Sequence, residues 1–394
     1  MKERKLLFTY YNHSKAAFSI ENDRLAQVFI SGKNDYNVGD IFIGRVKHLV
    51  RGMNAAFVEF AHGTTGFLSY SDLKQEAVLN KKDTSTLKCG DELIVQISKE
   101  PLKTKEAALT TDLSVSGKYL VIFPFGSGLH YSNKLGERER QKLSEMISDI
   151  LSESEAQKRG YIFRTNAINA SPEELRTELC ELSSRVDDIL SVADKRTVFS
   201  VLYKEKEFFA NVLKNMYHHD NTEVITDKRD IFEKIETTGV PLRLYEDDRI
   251  DLFRLYGLEE RLSEAVSRKV WLKSGGYLII EPTEAMTVID VNSGKSDKSR
   301  NKLTPEEFHH RVNMEAIPEI LHQLRLRNIS GIVIVDFLKT GSESSQLLLK
   351  QLTAEAKKDS VQTVVVGMTK LGLVEITRKK TEASLYEKLN SAKE

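Results

Sequence analysis

Two aspartates and an asparagine stand where apolar runs end. Asp290 and Asn292 close the stretch Leu272 to Asn292, LKSGGYLIIEPTEAMTVIDVN, and Asp336 lies forty-six residues beyond Asp290 in GIVIVDF. Val288 to Asn292 reads as a strand from its β-branched content. Side chains two apart on a strand share a face, so Asp290 and Asn292 point the same way. The run before Asp336 has no polar member, which predicts a strand buried on both faces. A carboxylate inside such a run is costly unless a cation meets it. Two of them on neighbouring strands make a compact hard-oxygen site for Mg²⁺, which takes one or two carboxylates and keeps its waters for the substrate. Such a site serves phosphodiester chemistry. A helix cap or a lysine partner would explain a lone aspartate more readily than it explains the pair.

The elements that must position these residues belong to a chain of 394 residues, too long for one small core. Hydrophobic residues make up 40% and charged residues 29%, as in a soluble globular protein. The formal net charge is zero, so a nucleic-acid site must be a local basic patch. Cys89 and Cys180 are far apart, which excludes a disulfide framework and a CxxC metal knuckle and fits a reducing cytoplasm. The first residues, MKERKLLFTYYNHSK, have no apolar core of signal-peptide length, and no apolar run is long enough for a transmembrane helix, so no membrane association is expected.

Along the chain, short strands at Lys5–Tyr11, Ala16–Ile20 and Gln27–Ile30 are too few for a domain and must join a later segment. Five strand-like runs follow, at 41–50, 54–60, 65–70, 92–98 and 106–112, the pattern of an OB-type barrel. Lys74 to Lys88 is its long connection. Residues 119–200 alternate strand, glycine-bearing loop and helix. Ser171-Pro172-Glu173-Glu174 and Thr304-Pro305-Glu306-Glu307 are capping boxes with proline at the first helical position. The second opens a helix to about Arg327, in which Pro318 predicts a kink. His309, His310 and His322 on that helix, and the pair His218-His219, match no metal-ligand spacing and read as packing or solvated residues.

These residues carry a resemblance. LKSGGYLIIEPTEAMTVIDVNSG, NMEAIPEILHQLRLRNISGIVIVDF and TKLGLVEITRKK resemble the catalytic region of the ribonuclease E/G family of bacterial endoribonucleases. NAAFVEFAHGTTGFLSYSDL and KTKEAALTT are similar to its barrel, and GYIFRTNA to the loop that grips a terminal phosphate. The resemblance implies an α+β multidomain protein: an RNase H-like part in two segments (1–36 and 201–266), an inserted OB-fold barrel (37–118), a 5′-monophosphate sensor (119–200) and a DNase I-like α/β catalytic domain (267–394). It implies that Asp290 and Asp336 hold a catalytic Mg²⁺, with Mn²⁺ the alternative ion, and that Asn292 orients the first aspartate. Arg164 and Thr165 match the pair that holds a 5′-monophosphate, in keeping with guanidinium and hydroxyl donors on phosphate, and the loop around Gly128 matches the backbone that completes that site. Phe57, Phe67 and Lys105 match RNA-contacting residues of the barrel. Strand parity agrees for the two rings: Ala56, Val58 and Phe60 form the apolar face, which leaves Phe57 on the more polar one, and Phe67 likewise stands opposite Leu68 and Tyr70, where a base can stack. Arg45, Lys47 and Arg51 add positive charge to the first barrel strand.

The expected activity is Mg²⁺-dependent cleavage of single-stranded RNA to 5′-phosphate and 3′-hydroxyl products, favouring 5′-monophosphorylated ends, in ribosomal RNA maturation and messenger RNA decay. Larger family members share a zinc ion between subunits through a CPxC-type motif after the catalytic region. KTEASLYEKLNSAKE stands here instead, so neither structural zinc nor a zinc-bridged dimer is expected, while a monomer and a metal-independent dimer stay open. The alternative reading is a noncatalytic RNA-binding factor for ribosome assembly or translation on the same fold.

Overall fold

A computed structural model describes residues 4–32, 36–80, 86–101, 105–205, 208–215, 222–236, 241–294, 304–380 and 382–393. His218, His219 and part of the connection between Lys74 and Lys88 lie outside them. The chain forms two compact units, the continuous segment Lys33–His218 and the discontinuous pair Met1–Gly32 with His219–Glu394.

In the continuous unit, strands Ile41–Val50, Ala55–Ala61, Thr64–Ser69, Ala107–Thr110 and Glu92–Lys99 run in that spatial order, and Glu92–Lys99 pairs back with Ile41–Val50 to close the barrel. Alternate side chains, among them Val46, Val58, Phe60, Leu68, Leu93 and Leu109, fill its interior. Strand Val201–Tyr203 adds to Ile41–Val50, a pairing that no local pattern announces. A separate four-stranded sheet has the order Gly128–Tyr131, Gly160–Phe163, Leu120–Phe123 and Val115–Ser116. Against it packs helix Pro172–Ala193, which opens on the expected capping box. The Ser171 hydroxyl accepts from the Glu174 N–H at 3.2 Å and the Glu174 carboxylate from the Ser171 N–H at 2.8 Å. Leu175, Leu179, Leu182, Val186 and Ile189 form its buried stripe.

In the discontinuous unit, Arg4–Tyr11 lies between Ser14–Glu21 and the distant strand Thr222–Thr226, antiparallel to the first and parallel to the second. The sheet that positions Asp290 and Asp336 has the order Lys269–Trp271, Tyr277–Pro282, Met286–Asn292, Gly331–Asp336, Val374–Arg378 and Thr363–Met368. Helices Pro305–Leu326 and Ser342–Ala356 bury Leu278, Ile280, Ile289, Val291, Val333, Val335, Val374 and Ile376 on one face. The longer helix has the expected Thr304–Glu307 capping box and runs unbroken through Pro318. The other face is open. Within GIVIVD, Val333 and Val335 are fully buried but Ile332 is 47% exposed, so this strand is buried on one face and not on two. The cause is the layering: both helices cover the same side, and the β-branched residues of the open side suit a pleated, half-buried surface without a second layer.

Candidate active site

Asp290 and Asp336 are direct neighbours in the register of two parallel strands, about 4.8 Å apart at the backbone. Both are exposed on the open face of the sheet. Asn292 shares that face and donates its amide to Asp290 Oδ2 at 2.8 Å, which fixes the rotation of that carboxylate. Among the described residues neither aspartate has a basic partner, and no third His, Cys, Asp or Glu joins them. Two like charges side by side without a counter-ion repel. Their arrangement suits a hard cation that accepts one or two carboxylates and retains water.

The flanking loops are fastened by side chains that the sequence reading missed. Asn313, fully buried on the long helix, donates to the Leu338 carbonyl at 2.7 Å and accepts from the Leu338 N–H at 3.0 Å. This two-point clamp holds the segment just after Asp336. Glu306 accepts from the Gly341 N–H at 2.8 Å, and His309 Nδ1 donates to the Lys339 carbonyl at 3.0 Å. Glu315 takes the Ser274 N–H at 3.0 Å ahead of the strand that pairs with Met286–Asn292. An amide inside an otherwise apolar stripe between Val312 and Ala316 was the available signal. The glycines of SGG and NSG have a steric cause. Gly294 has φ of +66°, and a Cβ there would stand 2.1 Å from the Gly275 carbonyl oxygen, while a Cβ on Gly276 would stand 2.8 Å from the Asn292 carbonyl oxygen, so the loops approach through these two glycines.

In the barrel, Phe57 and Phe67 are directly opposite across two antiparallel strands, half-buried, with centroids 5.9 Å apart at 72°. They form one edge-to-face aromatic surface. Lys105 is exposed, two residues ahead of its strand and level with Thr64, about 10 Å along the strand direction from Phe67. Two of the basic residues are already paired, Arg45 with Glu92 and Lys47 with Glu59, each at 2.8 Å. Lys47 and the Gly63 N–H hold the Glu59 carboxyl below its usual range.

Arg164 and Thr165 directly follow strand Gly160–Phe163. Burial, opposed by Glu178 and then Glu205, pulls the Arg164 guanidinium below its ordinary pKa. Thr165 Oγ1 lies 3.0 Å from Ser132 Oγ, and Arg140 Nη2 donates to the Ser132 carbonyl at 3.3 Å while its Nε is buried with no partner. Ser132 and Arg140 were not anticipated from the sequence. Gly128 is not brought to this place. In the parallel pairing it stands level with Gly160, four residues or about 13 Å of strand from Arg164. Its φ of +85° marks the turn into the strand instead. The residue level with the Arg164–Thr165 end is Ser132, because the strand Gly128–Tyr131 runs its full length before the chain reaches that end.

The model of the Ribonuclease E/G family matches residues 114–381, and that of the S1 RNA binding domain matches residues 35–112. Ribonuclease G of Haemophilus influenzae is 34% identical over 368 residues, covering 88% of this chain and 73% of its own. Ribonuclease G of Escherichia coli K12 is 35% identical over 368 residues, covering 88% and 74%. A ribonuclease E/G-like protein of Porphyra purpurea is 31% identical over 379 residues, covering 92% and 72%. The chain belongs to the ribonuclease E/G family: it is an endoribonuclease that carries an S1-type, OB-like RNA-binding barrel.

Proposed function

We propose that this protein is a Mg²⁺-dependent endoribonuclease that cuts single-stranded RNA to 5′-phosphate and 3′-hydroxyl products and favours 5′-monophosphorylated substrates, with ribosomal RNA precursors and messenger RNA as its targets. The observation that carries the reading is the pair Asp290–Asp336, side by side, exposed and, among the described residues, without a basic partner. These two would hold the ion, with Mn²⁺ as the alternative. When bound, the ion supplies an activated water and neutralises charge building on the phosphate. Asn292 keeps the Asp290 carboxylate in one orientation, and Asn313 keeps the chain beyond Asp336 from drifting. Phe57 and Phe67 offer bases a stacking surface that tolerates any sequence, and Lys105 adds charge for the backbone. Arg164 and Thr165 would meet a terminal phosphate, with Ser132 and Arg140 beside them. We read residues 1–36 and 201–266 as an RNase H-like part, 37–118 as the barrel, 119–200 as the phosphate sensor and 267–394 as a DNase I-like catalytic domain.

The test is incubation with A/U-rich single-stranded RNA bearing a 5′-monophosphate or a 5′-hydroxyl, with Mg²⁺ or with EDTA. Internal cuts that need Mg²⁺ and vanish in Asp290→Asn support the metal site. Arg164→Ala should slow cleavage of the 5′-monophosphorylated RNA by about tenfold and leave the 5′-hydroxyl RNA nearly unchanged, the cost of one charge-assisted phosphate contact. Equal loss on both removes the sensor. Tight binding without cutting under any metal would make the protein a noncatalytic RNA-binding factor.

A further inference from the structure

The edge of the catalytic sheet carries an aromatic pair that the reading above does not use. Trp271 ends the edge strand and is 63% exposed. It pairs across the sheet with Tyr277, and Tyr277 pairs with Asn292. Cross-strand partners share a face, so Trp271, Tyr277 and Asn292 stand in one row on the open side. The adjacent row is Lys269, Ile279, Asp290 and Asp336. The two aromatic rings meet edge to face, with centroids 5.4 Å apart at 66°. Lys269 Nζ lies 3.7 Å from the Trp271 centroid and 3.9 Å from the Tyr277 centroid, so one ammonium addresses both rings.

A lone exposed apolar side chain needs no explanation. This one differs because it is held. The Tyr277 edge and the Lys269 ammonium fix the indole, so that little freedom remains to lose when something stacks on it. A π-surface beside a cation is the chemistry that binds single-stranded nucleic acid, the ring taking a base and the cation a phosphate. Two strand spacings, about 10 Å, separate the Trp271 backbone from that of Asn292. That is close enough to serve a nucleotide flanking a phosphate held at the two aspartates.

We infer that Trp271 and Tyr277 form a stacking platform for a base next to the scissile phosphate, with Lys269 meeting the backbone, and that this platform helps to set where the RNA is cut. The inference rests on the endoribonuclease reading and adds a binding subsite to it. Trp271 is the single tryptophan of the chain, so its emission reports this position alone. In the cleavage-deficient Asp290→Asn protein, a labelled single-stranded oligoribonucleotide should quench that emission along the same binding curve that the label's anisotropy follows. An abasic nucleotide at one position beside the cut should abolish the quench while the RNA still binds. Trp271→Ala in the otherwise native protein should lower kcat/KM about ten- to hundredfold on intact RNA, the loss expected for one stacked base, and cause no further loss on the abasic RNA. Trp271→Phe should retain most of the activity, which separates stacking from folding. Binding by anisotropy with unchanged emission, or undiminished cleavage by Trp271→Ala, overturns the platform and leaves the endoribonuclease standing. Absence of both binding and cutting in every variant overturns both.

Discussion

The two ends of the sheet that carries Asp290 and Asp336 treat the same side chain in opposite ways. At one end Asp290 and Asp336 are exposed and adjacent, and among the described residues only the Asn292 amide meets them. At the other, where Gly331 and Thr363 pair with Arg378, Asp359 is buried and grips Arg378 through Nε at 2.9 Å and Nη2 at 3.4 Å. Arg378 Nη1 also donates to Asn328 Oδ1 and to the Ile329 carbonyl. Asp359 has both oxygens satisfied by hydrogen bonds, whereas among the described residues the only side-chain donor to the exposed pair is the Asn292 amide. The motif TKLGLVEITRKK, which ends in Arg378 and its neighbours, therefore serves the frame, and the proposed function gives the chemistry to DVN together with VDF. Resemblance alone does not separate these roles; the partner of each charge does.

The largest effect expected from this contrast is on catalysis. Asp290→Asn or Asp336→Asn should reduce cleavage by roughly a thousandfold or more, since each removes charge stabilisation from the transition state. The thermal midpoint should hold or rise, because a like-charge neighbour is removed; a clear fall would mean the pair is structural and would break the contrast. Asp359→Asn should do the reverse. Leaving Arg378 buried without its partner costs about 3–5 kcal/mol, read by urea denaturation, while kcat of the folded protein at low temperature stays near the wild-type value. An unchanged urea midpoint would show that the buried pair is dispensable.

Between these extremes stands Asn313→Ala, which strands the Leu338 N–H and C=O and should cost about 2 kcal/mol or more. Because the clamp borders Asp336, kcat should fall with KM little changed, and loss of stability alone would reduce Asn313 to packing. A subtler test of how the frame treats charge is His322, on the same helix. Burial pushes its pKa down from 6.5 to about 4, with Arg24 and Arg325 adding to the fall and Glu319 opposing it. Between those values the unfolded chain takes up a proton that the folded chain refuses. Stability is thus fully present above about pH 6.5 and is lost as the pH falls toward 4. His322→Gln should flatten that part of the profile by an amount on the order of 1–3 kcal/mol, and equal slopes in the two proteins would exclude His322 as the cause.

Local patterns in the sequence carried much of this. Both capping boxes, the shared face of Asp290 and Asn292, and the exposed parity of Phe57 and Phe67 depend only on neighbours within a few residues, and each appears as read. What failed depended on distant partners. The apolar run GIVIVD cannot say whether one layer or two will cover it. The height of Gly128 depends on its parallel pairing with Gly160, thirty-two residues away. Asn313 looked like one polar residue in an amphipathic helix, and only the return of the chain at Leu338 gives it a task. Trp271 carries no meaning until Tyr277 and Asn292 are laid beside it.

The sheet built from both ends of the chain also has a consequence for synthesis. Arg4–Tyr11 is made before its parallel partner and cannot complete its pairing until Thr222–Thr226 exists. At about 5–20 residues per second, the 192 residues from Ile30 to Thr222 delay that partner by roughly 10–40 s on the ribosome. During that time the continuous segment Lys33–His218 can fold as a unit, while the early strands wait with an open edge. The segment Arg4–Ile30 thus has the longest wait for its partner strand among the sheets described, and refolding from denaturant should be limited by closing that long loop, not by forming the barrel.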